Sequence, residues 1–419
     1  MVNKTVLENG LRIVSERLDH FRSVSLGIWV NVGSRDEGER ENGVSHFIEH
    51  MIFKGTAVRN SLRIAKELDA IGGLSNAFTG TESTCFHSRV LDKHLPELAD
   101  ILSDIFLHSL FDPQDINRER QVILQEINML EDTPDEQIHV LFSGLFWNNH
   151  PLGMPVMGTP QTVSAINKDT VLSHIGQFYT PGRIIVAAAG NVDHAALVQH
   201  LRPLFESLPE EKQDPERTAP QSHAAVSCRY KELEQVHLCL GGTAPCVCSD
   251  MRFAAAVLNT ILGGNMSSRL FQEIREKRGL AYNVYSFFSS FLDAGLMGVY
   301  LGTDAKNANR ALKVIHREIK KIQRGKISRA DLRATKDHLV GGVLLSAENT
   351  DTQMMRLAKN EALFGRYVSY DEVVERIEKV TVDEVVSVAK QAFQGHNVSL
   401  VTLGPLEQKD LDPDHVAFD

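Results

Sequence analysis

The first predicted strands come from the spacing of apolar residues near the start of the chain. Alternate positions are apolar at Val24, Leu26, Ile28, Val30 and Val32. A period of two is typical of a half-buried β-strand, and a shorter strand is predicted before it at 12–15. After a glycine-rich charged loop, the spacing changes at residue 44 to that of an amphipathic helix, which extends to residue 54.

The same patterns predict the next elements of the first half. They are a helix at 62–71, a pair of strands within 74–90, and helices at 93–108 and 116–130. Because strands and helices are grouped rather than strictly alternating, the pattern favours an α+β fold over a doubly wound sheet.

An internal repeat relates the two halves of the chain. Residues 165–191 align without a gap to residues 379–405, an offset of 214. Both segments predict an amphipathic helix, a short turn and an apolar strand that ends in glycine. The identical pairs are Asp169 with Asp383, Val171 with Val385, Ser173 with Ser387, Gln177 with Gln391, and Gly190 with Gly404. We expect two homologous α+β domains from a duplication, although helix-turn-strand segments also align by chance.

The length of 419 residues also indicates two domains, since single hydrophobic cores stop growing at about 250–300 residues. A polar, proline-bearing stretch at 208–222 has almost no apolar residues and is predicted to be a linker. We therefore predict an N-terminal domain at 1–207 and a C-terminal domain at 223–419.

Charge and composition exclude several classes of protein. The net charge of −10 argues against a nucleic-acid-binding protein, which needs a clustered excess of Lys and Arg. No apolar run approaches the roughly 18 residues of a membrane span, and the N-terminus lacks the apolar region of a secretory signal. Five scattered cysteines do not suggest a disulfide framework. We expect a cytoplasmic protein.

Candidate metal chemistry lies on the helix predicted at 44–54. His46 and His50 are one helical turn apart, and Glu49 projects from the same face at about 100° per residue. Two imidazoles at this spacing are suited to one zinc ion, with the carboxylate beside a bound water. The order HxxEH is one of the known catalytic zinc motifs. The same three residues also arise by chance on exposed helices, so a further ligand is needed.

The helix predicted at 116–130 offers that ligand. Glu119 and Glu126 lie on one helical stripe with Val122 and Ile123. A carboxylate on an apolar stripe is costly unless a cation compensates it, and a zinc ion supplies that charge. The ordinary alternative is a solvated glutamate.

These motifs resemble the insulinase (pitrilysin) family of metallopeptidases. The runs 42–56 and 120–126 are similar in particular to the branch that includes the β subunit of mitochondrial processing peptidase and related bacterial proteases. The resemblance implies one Zn²⁺ per chain, and it implies His46, His50 and Glu126 as its ligands. It further implies Glu49 as the general base and Glu119 as a supporting acid near the metal.

The resemblance continues at 263–282, where it implies that Arg275 and Tyr282 contact the substrate. Without it, Arg275 would be part of a solvated charge run and Tyr282 a core aromatic. Residues 72–79 resemble the strand that pairs with the substrate backbone, which indicates Asn76 and Ala77 as contact residues. Ordinary sheet residues are an equal alternative for these two.

The implied fold is two facing domains arranged as a clamshell around the active site, and the implied activity is hydrolysis of extended or unfolded peptides. Adding the repeat offset to the HxxEH residues gives Thr260, Gly263 and Gly264, so the second domain is expected to bind no metal. Two alternatives stay open, namely a catalytically silent scaffold subunit and a catalytic subunit that needs a partner. The presence of Arg275 and Tyr282 favours an enzyme that needs no partner subunit, and a homodimer is compatible with it.

Overall fold

The computed structural model describes residues 1–209 and 217–412 and divides them into two compact units. Unit 1 comprises Met1–Asn128, Met154–Arg217 and Leu345–Val368. Unit 2 comprises Met129–Gly153, Thr218–Leu344 and Ser369–Asp419. Each unit therefore contains most of one half of the chain and one segment of the other half.

The units differ from the continuous domains predicted at 1–207 and 223–419. Residues 210–216 of the predicted linker lie outside the described residues. The chain passes from unit 1 to unit 2 between Arg217 and Thr218, inside that linker, and the described linker residues form no helix or strand. The exchanged segments could not be predicted, because hydrophobic periodicity shows that a helix is amphipathic but not which sheet it covers.

Eleven strands and fourteen α-helices are formed by the described residues. The strands are β1 Val2–Val6, β2 Arg12–Arg17, β3 Ser23–Val30, β4 Leu74–Thr79, β5 Thr84–Leu91, β6 Ile184–Gly190, β7 Val226–Tyr230, β8 Val236–Thr243, β9 Ala281–Ser290, β10 Gly295–Thr303 and β11 Ser399–Gly404. The helices are α1 Val44–Ile52, α2 Ser61–Ala70, α3 Leu95–His108, α4 Pro113–Glu131, α5 Pro134–Phe146, α6 Pro160–Ala165, α7 Lys168–Phe178, α8 His194–Phe205, α9 Arg252–Leu262, α10 Ala308–Gln323, α11 Arg329–Ser346, α12 Thr350–Phe364, α13 Tyr370–Lys379 and α14 Val382–Ala392.

Strand order is the same in the two units. Unit 1 has the order β1-β2-β6-β3-β5-β4, and unit 2 has β7-β11-β8-β10-β9. In unit 1, β2 is parallel to β6 and the remaining pairs from β6 to β4 are antiparallel. In unit 2, β7 is parallel to β11 and the remaining pairs are antiparallel. Apart from the additional β1, the two sheets share one topology, which supports the duplication and the α+β class predicted from sequence.

The strand predicted at 24–32 is present as β3, but the prediction that it is half-buried was wrong. All of β3 from Val24 to Val30 is buried, including the positions between the apolar ones. One face of the sheet packs on the main core of unit 1, and α12 covers the other face. Because α12 comes from the second half of the chain, its contact with β3 leaves no signal in the local sequence.

In unit 2 the exchanged helix is α5, which packs on β8 and β11. Its apolar side contributes Ile138, Phe142 and Phe146 to a core shared with Tyr300 and Val401. None of the helices in the described part of the chain combines the length and the apolar character that a membrane crossing requires.

Candidate metal centre

Helix α1 carries the candidate ligands because one of its faces is anchored in the core of unit 1. Its buried apolar residues are Val44, Phe47, Ile48, Met51 and Ile52. This spacing leaves His46, Glu49 and His50 on the remaining face. The rings of His46 and His50 have centroids 4.7 Å apart, as expected for side chains one turn apart.

The start of α1 is fixed by a buried carboxylate from the preceding loop. Glu37 is 4% exposed and accepts hydrogen bonds from the Gly43 N–H at 2.7 Å and the Ser45 N–H at 2.8 Å. It also accepts a hydrogen bond of 3.0 Å from the side-chain Nδ2 of Asn42. Burial raises the pKa of Glu37, and these hydrogen bonds oppose that shift. All three partners are donors, which is the environment of an ionised carboxylate.

His46, His50 and Glu126 converge in the structure. Glu126 Oε2 lies 3.9 Å from His46 Nε2 and 3.5 Å from His50 Nε2. Among the described residues, these three form the one group of His, Cys, Asp or Glu whose ligand atoms lie within 4.8 Å of one another. Glu126 comes from α4, so two helices distant in sequence supply the three donors.

Their geometry fits a zinc ion. Tetrahedral zinc with bonds of about 2.0–2.1 Å to nitrogen and oxygen places neighbouring ligand atoms roughly 3.3 Å apart. The separations of 3.5 and 3.9 Å are close to that value. Two imidazoles and one carboxylate form a donor set used by catalytic zinc sites, which leave the fourth position for water or substrate.

The electrostatics of His46 agree with a ligand role. Burial lowers the pKa of His46 to about 4, and the nearby His50 adds to this shift. His46 is therefore neutral at neutral pH, and metal binding requires a neutral imidazole. Its approach to Glu126 at neutral pH is then not an ion pair.

Glu119 contacts the second histidine from the side opposite Glu126. Its Oε2 lies 3.2 Å from His50 Nδ1, and its Oε1 lies 2.6 Å from Lys54 Nζ. A carboxylate on the second ring nitrogen fixes the tautomer and orientation of a metal-binding histidine. Lys54 in turn fixes the orientation of that carboxylate.

The stripe predicted on α4 is only partly buried. Glu119 and Ile123 are buried, whereas Glu126 is half-buried and Val122 is 40% exposed. Glu126 therefore lies at the edge of the buried face, where solvent and substrate have access to it.

Glu49 is held in place by the sheet. Thr79 of β4 donates a hydrogen bond of 2.6 Å to Glu49 Oε2. Burial raises the pKa of Glu49, while the bond from Thr79 and the charge of His50 oppose this effect. A raised pKa brings a carboxylate closer to the range in which a general base both takes and returns a proton near neutral pH.

A cavity of about 440 Å³ opens beside the candidate metal site. Glu49, His50 and Lys54 line one side, and Phe53, Ile64, Ala65 and Leu68 supply apolar walls. The predicted contact residues Asn76 and Ala77 line it as well. They belong to β4, the last strand of its sheet, so its outer edge has no neighbouring strand among the described residues.

Arg275 and Tyr282 lie in unit 2 and contact each other. The Arg275 guanidinium carbon lies 4.3 Å from the centroid of the Tyr282 ring, a cation–π distance. Tyr282 is 76% exposed at the start of β9, so it is not the core aromatic that composition alone would suggest. Their action on substrate stays a prediction.

Unit 2 has no counterpart of the metal ligands on the equivalent helix. As α1 follows β3, so α9 follows β8, and the residues of α9 are Arg252–Leu262, RFAAAVLNTIL. This segment contains no His, Cys, Asp or Glu. The repeat offset places the counterpart of His46, Thr260, within α9, and those of Glu49 and His50, Gly263 and Gly264, directly after its end.

Sequence reasoning missed Glu37, Lys54 and Thr79. Each is a polar residue in or beside a loop or strand end, where solvated side chains are the norm. The one available signal for Glu37 was a carboxylate six residues before a glycine at the cap position of a helix. Glycine offers no capping side chain, so a cap from another residue is required.

Comparisons with known proteins agree with this geometry. The profile "Insulinase (Peptidase family M16)" matches residues 12–160, and the profile "Peptidase M16 inactive domain" matches residues 165–339. An uncharacterized zinc protease of Bacillus subtilis is 38% identical over 94% of this chain and 96% of its own length. An uncharacterized zinc protease of Streptomyces coelicolor is 40% identical over 99% of this chain and 92% of its own length.

Solved structures share the fold. A protease from Helicobacter pylori superimposes with a TM-score of 0.90 at 21% identity, covering 97% of this chain and 99% of that one. A structure titled peptidase M16 inactive domain, from Pseudomonas fluorescens, also gives 0.90 at 18% identity, covering 97% and 98%. At these identities the likeness concerns the fold alone. The profiles and the full-length relatives together show that the chain belongs to the insulinase family, peptidase family M16.

Proposed function

We propose that the protein is a zinc-dependent endopeptidase, with His46, His50 and Glu126 as metal ligands and Glu49 as the general base. The observation that supports this most is the convergence of two imidazoles from α1 and one carboxylate from α4, with ligand atoms within 4.8 Å of one another. Glu49 stands one residue before His50, on the same helix face as the two imidazoles.

A zinc ion held by His46, His50 and Glu126 would supply the positive charge that activates a water molecule and polarises the scissile carbonyl. Glu49 takes the proton of the attacking water on a carboxylate oxygen and returns it to the leaving amine. Thr79 keeps Glu49 Oε2 in one position through its 2.6 Å bond. The other oxygen of Glu49 stays available for the proton transfer.

Glu119 and Lys54 act as positioning residues. Glu119 holds the Nδ1 side of the His50 ring, so that Nε2 faces Glu126 and the metal position. Lys54 supplies the charge that keeps the buried Glu119 in its place. Partners of this kind around metal ligands change metal affinity or activity by about 10–100-fold when they are removed.

Substrates are extended or unfolded peptides in this proposal. The open edge of β4 offers backbone groups to a substrate strand, with Asn76 and Ala77 beside Glu49 and His50. Pairing through the backbone selects extended segments over folded ones. By the family resemblance, Arg275 and Tyr282 bind substrate carbonyl groups, for which a guanidinium and a phenol are suitable donors.

Metal analysis combined with peptide digestion tests the proposal. The purified chain should contain one zinc ion and cleave a library of unstructured peptides. A chelator should abolish cleavage, and added zinc should restore it. Cleavage that is indifferent to chelator would contradict the proposal. Stoichiometric zinc without any cleavage would favour the alternative of a silent subunit or of one that needs a partner.

A further inference from the structure

The first turn of α1 lacks the capping side chain that most helices have. The residue at the cap position is Gly43, in a left-handed conformation with a φ of 96°, and no side chain of its own caps the turn. A Cβ atom at this position would lie 2.7 Å from the carbonyl oxygen of Met157. The local fold therefore excludes Ser, Thr, Asp and Asn from the position where they normally satisfy the first amides of a helix.

Glu37 supplies the missing acceptor from a distance of six residues. Its Oε1 accepts the Ser45 N–H, which is the second amide of the helix and a usual target of a capping side chain. Its Oε2 accepts the Gly43 N–H and the Asn42 side chain. Both oxygens of this buried carboxylate thus accept hydrogen bonds from residues that directly precede His46.

The loop that carries Glu37 is itself fixed to the sheet. The preceding residue, Asp36, accepts bonds of 2.9 and 2.7 Å from the Arg217 guanidinium. The Arg35 N–H donates to the Thr81 carbonyl at 2.8 Å, between β4 and β5. The Asn42 amide also donates to the Pro155 carbonyl at 3.0 Å. The residues around Glu37 are therefore held by hydrogen bonds to three other segments of the chain.

We propose that Glu37 is a positioning residue of the metal centre, which sets the start of α1 and supplies a negative charge at its positive end. This inference rests on the proposed metal-binding function. His46 is the third residue of α1, immediately after Ser45, so any shift of the first turn moves a ligand directly. The charge of Glu37 also offsets the positive helix terminus, which would otherwise oppose a divalent cation nearby.

Zinc affinity of Glu37→Gln, measured on the metal-free protein by competition with a chromogenic chelator, tests the inference. Gln keeps the size of Glu but loses the charge and can no longer accept on both oxygens, so binding should weaken by about 10-fold or more. Glu37→Asp keeps the charge but is one methylene shorter, and its loss should be smaller. A Glu37→Gln protein that binds zinc within twofold of the unmodified protein overturns the inference.

Glu361→Gln is the matched control. Glu361 of α12 is also a buried carboxylate of unit 1. Its Oε1 lies 2.6 Å from Lys4 Nζ. The Glu361→Gln variant should lose stability in the same general way as Glu37→Gln, and its zinc affinity should be unchanged. Equal weakening of zinc binding in both variants would show that Glu37 acts only through the stability of the unit, and would overturn the inference.

Amide hydrogen exchange covers the case in which Glu37→Gln does not fold. In the unmodified metal-free protein, the Gly43 and Ser45 amides should be protected to the level of Phe47, whose amide bonds within the helix to Gly43. Exchange of the Gly43 and Ser45 amides at the rate of an unstructured peptide would show that Glu37 does not cap α1, and would overturn the inference. Zinc binding without peptide cleavage would contradict the proposed function alone, and this inference would stand.

Discussion

Helices α1 and α9 occupy the same place in two sheets of the same topology, yet of the two only α1 carries candidate metal ligands. Most residues of helix α9 are buried, and apart from Thr260 they are Ala, Val, Leu and Ile. Helix α1 buries a comparable apolar face but keeps two histidines and a glutamate on its other side. The position in the fold therefore needs an apolar helix for packing and nothing more.

The difference extends beyond the ligands to the residues that hold them. In unit 1, Glu37, Thr79 and Glu119 contact the start of α1 or its polar side chains, and Lys54 contacts Glu119. The candidate active site is thus a set of side chains added to one copy of a fold, together with the contacts that orient them. Variants that alter one copy and leave the other unchanged test this interpretation.

The largest effect is expected for Glu49→Gln. Removing a general base typically lowers turnover by about 10²–10⁴-fold, while the imidazoles and Glu126 still bind the metal. Peptide cleavage and zinc content should be measured on the same preparation. Full turnover in this variant would remove Glu49 from the mechanism, whereas loss of zinc would mean that it has a structural role at the metal.

Glu126→Ala should lower zinc content with the fold intact. Two imidazoles alone form an incomplete site, and Glu126 is half-buried at the end of a long helix, so its removal leaves little strain. Metal analysis after dialysis measures the loss, and circular dichroism checks the fold. A variant that retains one zinc ion per chain would show that another carboxylate is the third ligand.

A pair of core substitutions compares α1 with α9 directly. Ile48→Ala and Leu258→Ala each remove a buried aliphatic side chain, so each should lower the free energy of unfolding by about 2–5 kcal/mol. Only Ile48→Ala should also weaken zinc binding, because Ile48 lies between His46 and His50. Denaturant unfolding with and without zinc measures both effects. Equal zinc affinity in the two variants would mean that packing of α1 does not position its ligands.

The smallest effect is expected for Lys54→Met, which removes the cation that holds Glu119. Zinc affinity or turnover should fall by about 10-fold, as for other residues that orient metal ligands. Lys4→Met is its control, since Lys4 forms an ion pair of the same length, 2.6 Å, with the buried Glu361 of unit 1. If both variants behave alike at the metal site, Lys54 is not a positioning residue.

Elements with a strong local period could be predicted from sequence. The strands at 12–15 and 184–189 and the helices at 44–54, 62–71 and 116–130 are present with shifts of a few residues at their ends. The HxxEH residues could be predicted for the same reason, because one helical turn brings them together. The helical stripe made both Glu119 and Glu126 candidates, and only the family resemblance singled out Glu126 as the ligand, since the packing of α4 on α1 is not encoded in either helix alone.

Long-range contacts account for what was missed. The burial of both faces of β3 depends on α12, more than 300 residues later in the chain. The role of Thr79 depends on the register of β4 beside α1, and that of Lys54 on Glu119 of another helix. Each of these side chains would look solvated if its own segment were considered alone.

The exchange of α5 and α12 between the halves has a consequence for how the chain can be divided. A protease that cuts between residues 209 and 217 would produce two fragments, and neither would hold a complete hydrophobic core. The first fragment would keep α5, which the second sheet requires, and the second would keep α12, which the first sheet requires. The two pieces would therefore be expected to remain associated after the cut, and neither half would be a sound choice for separate expression.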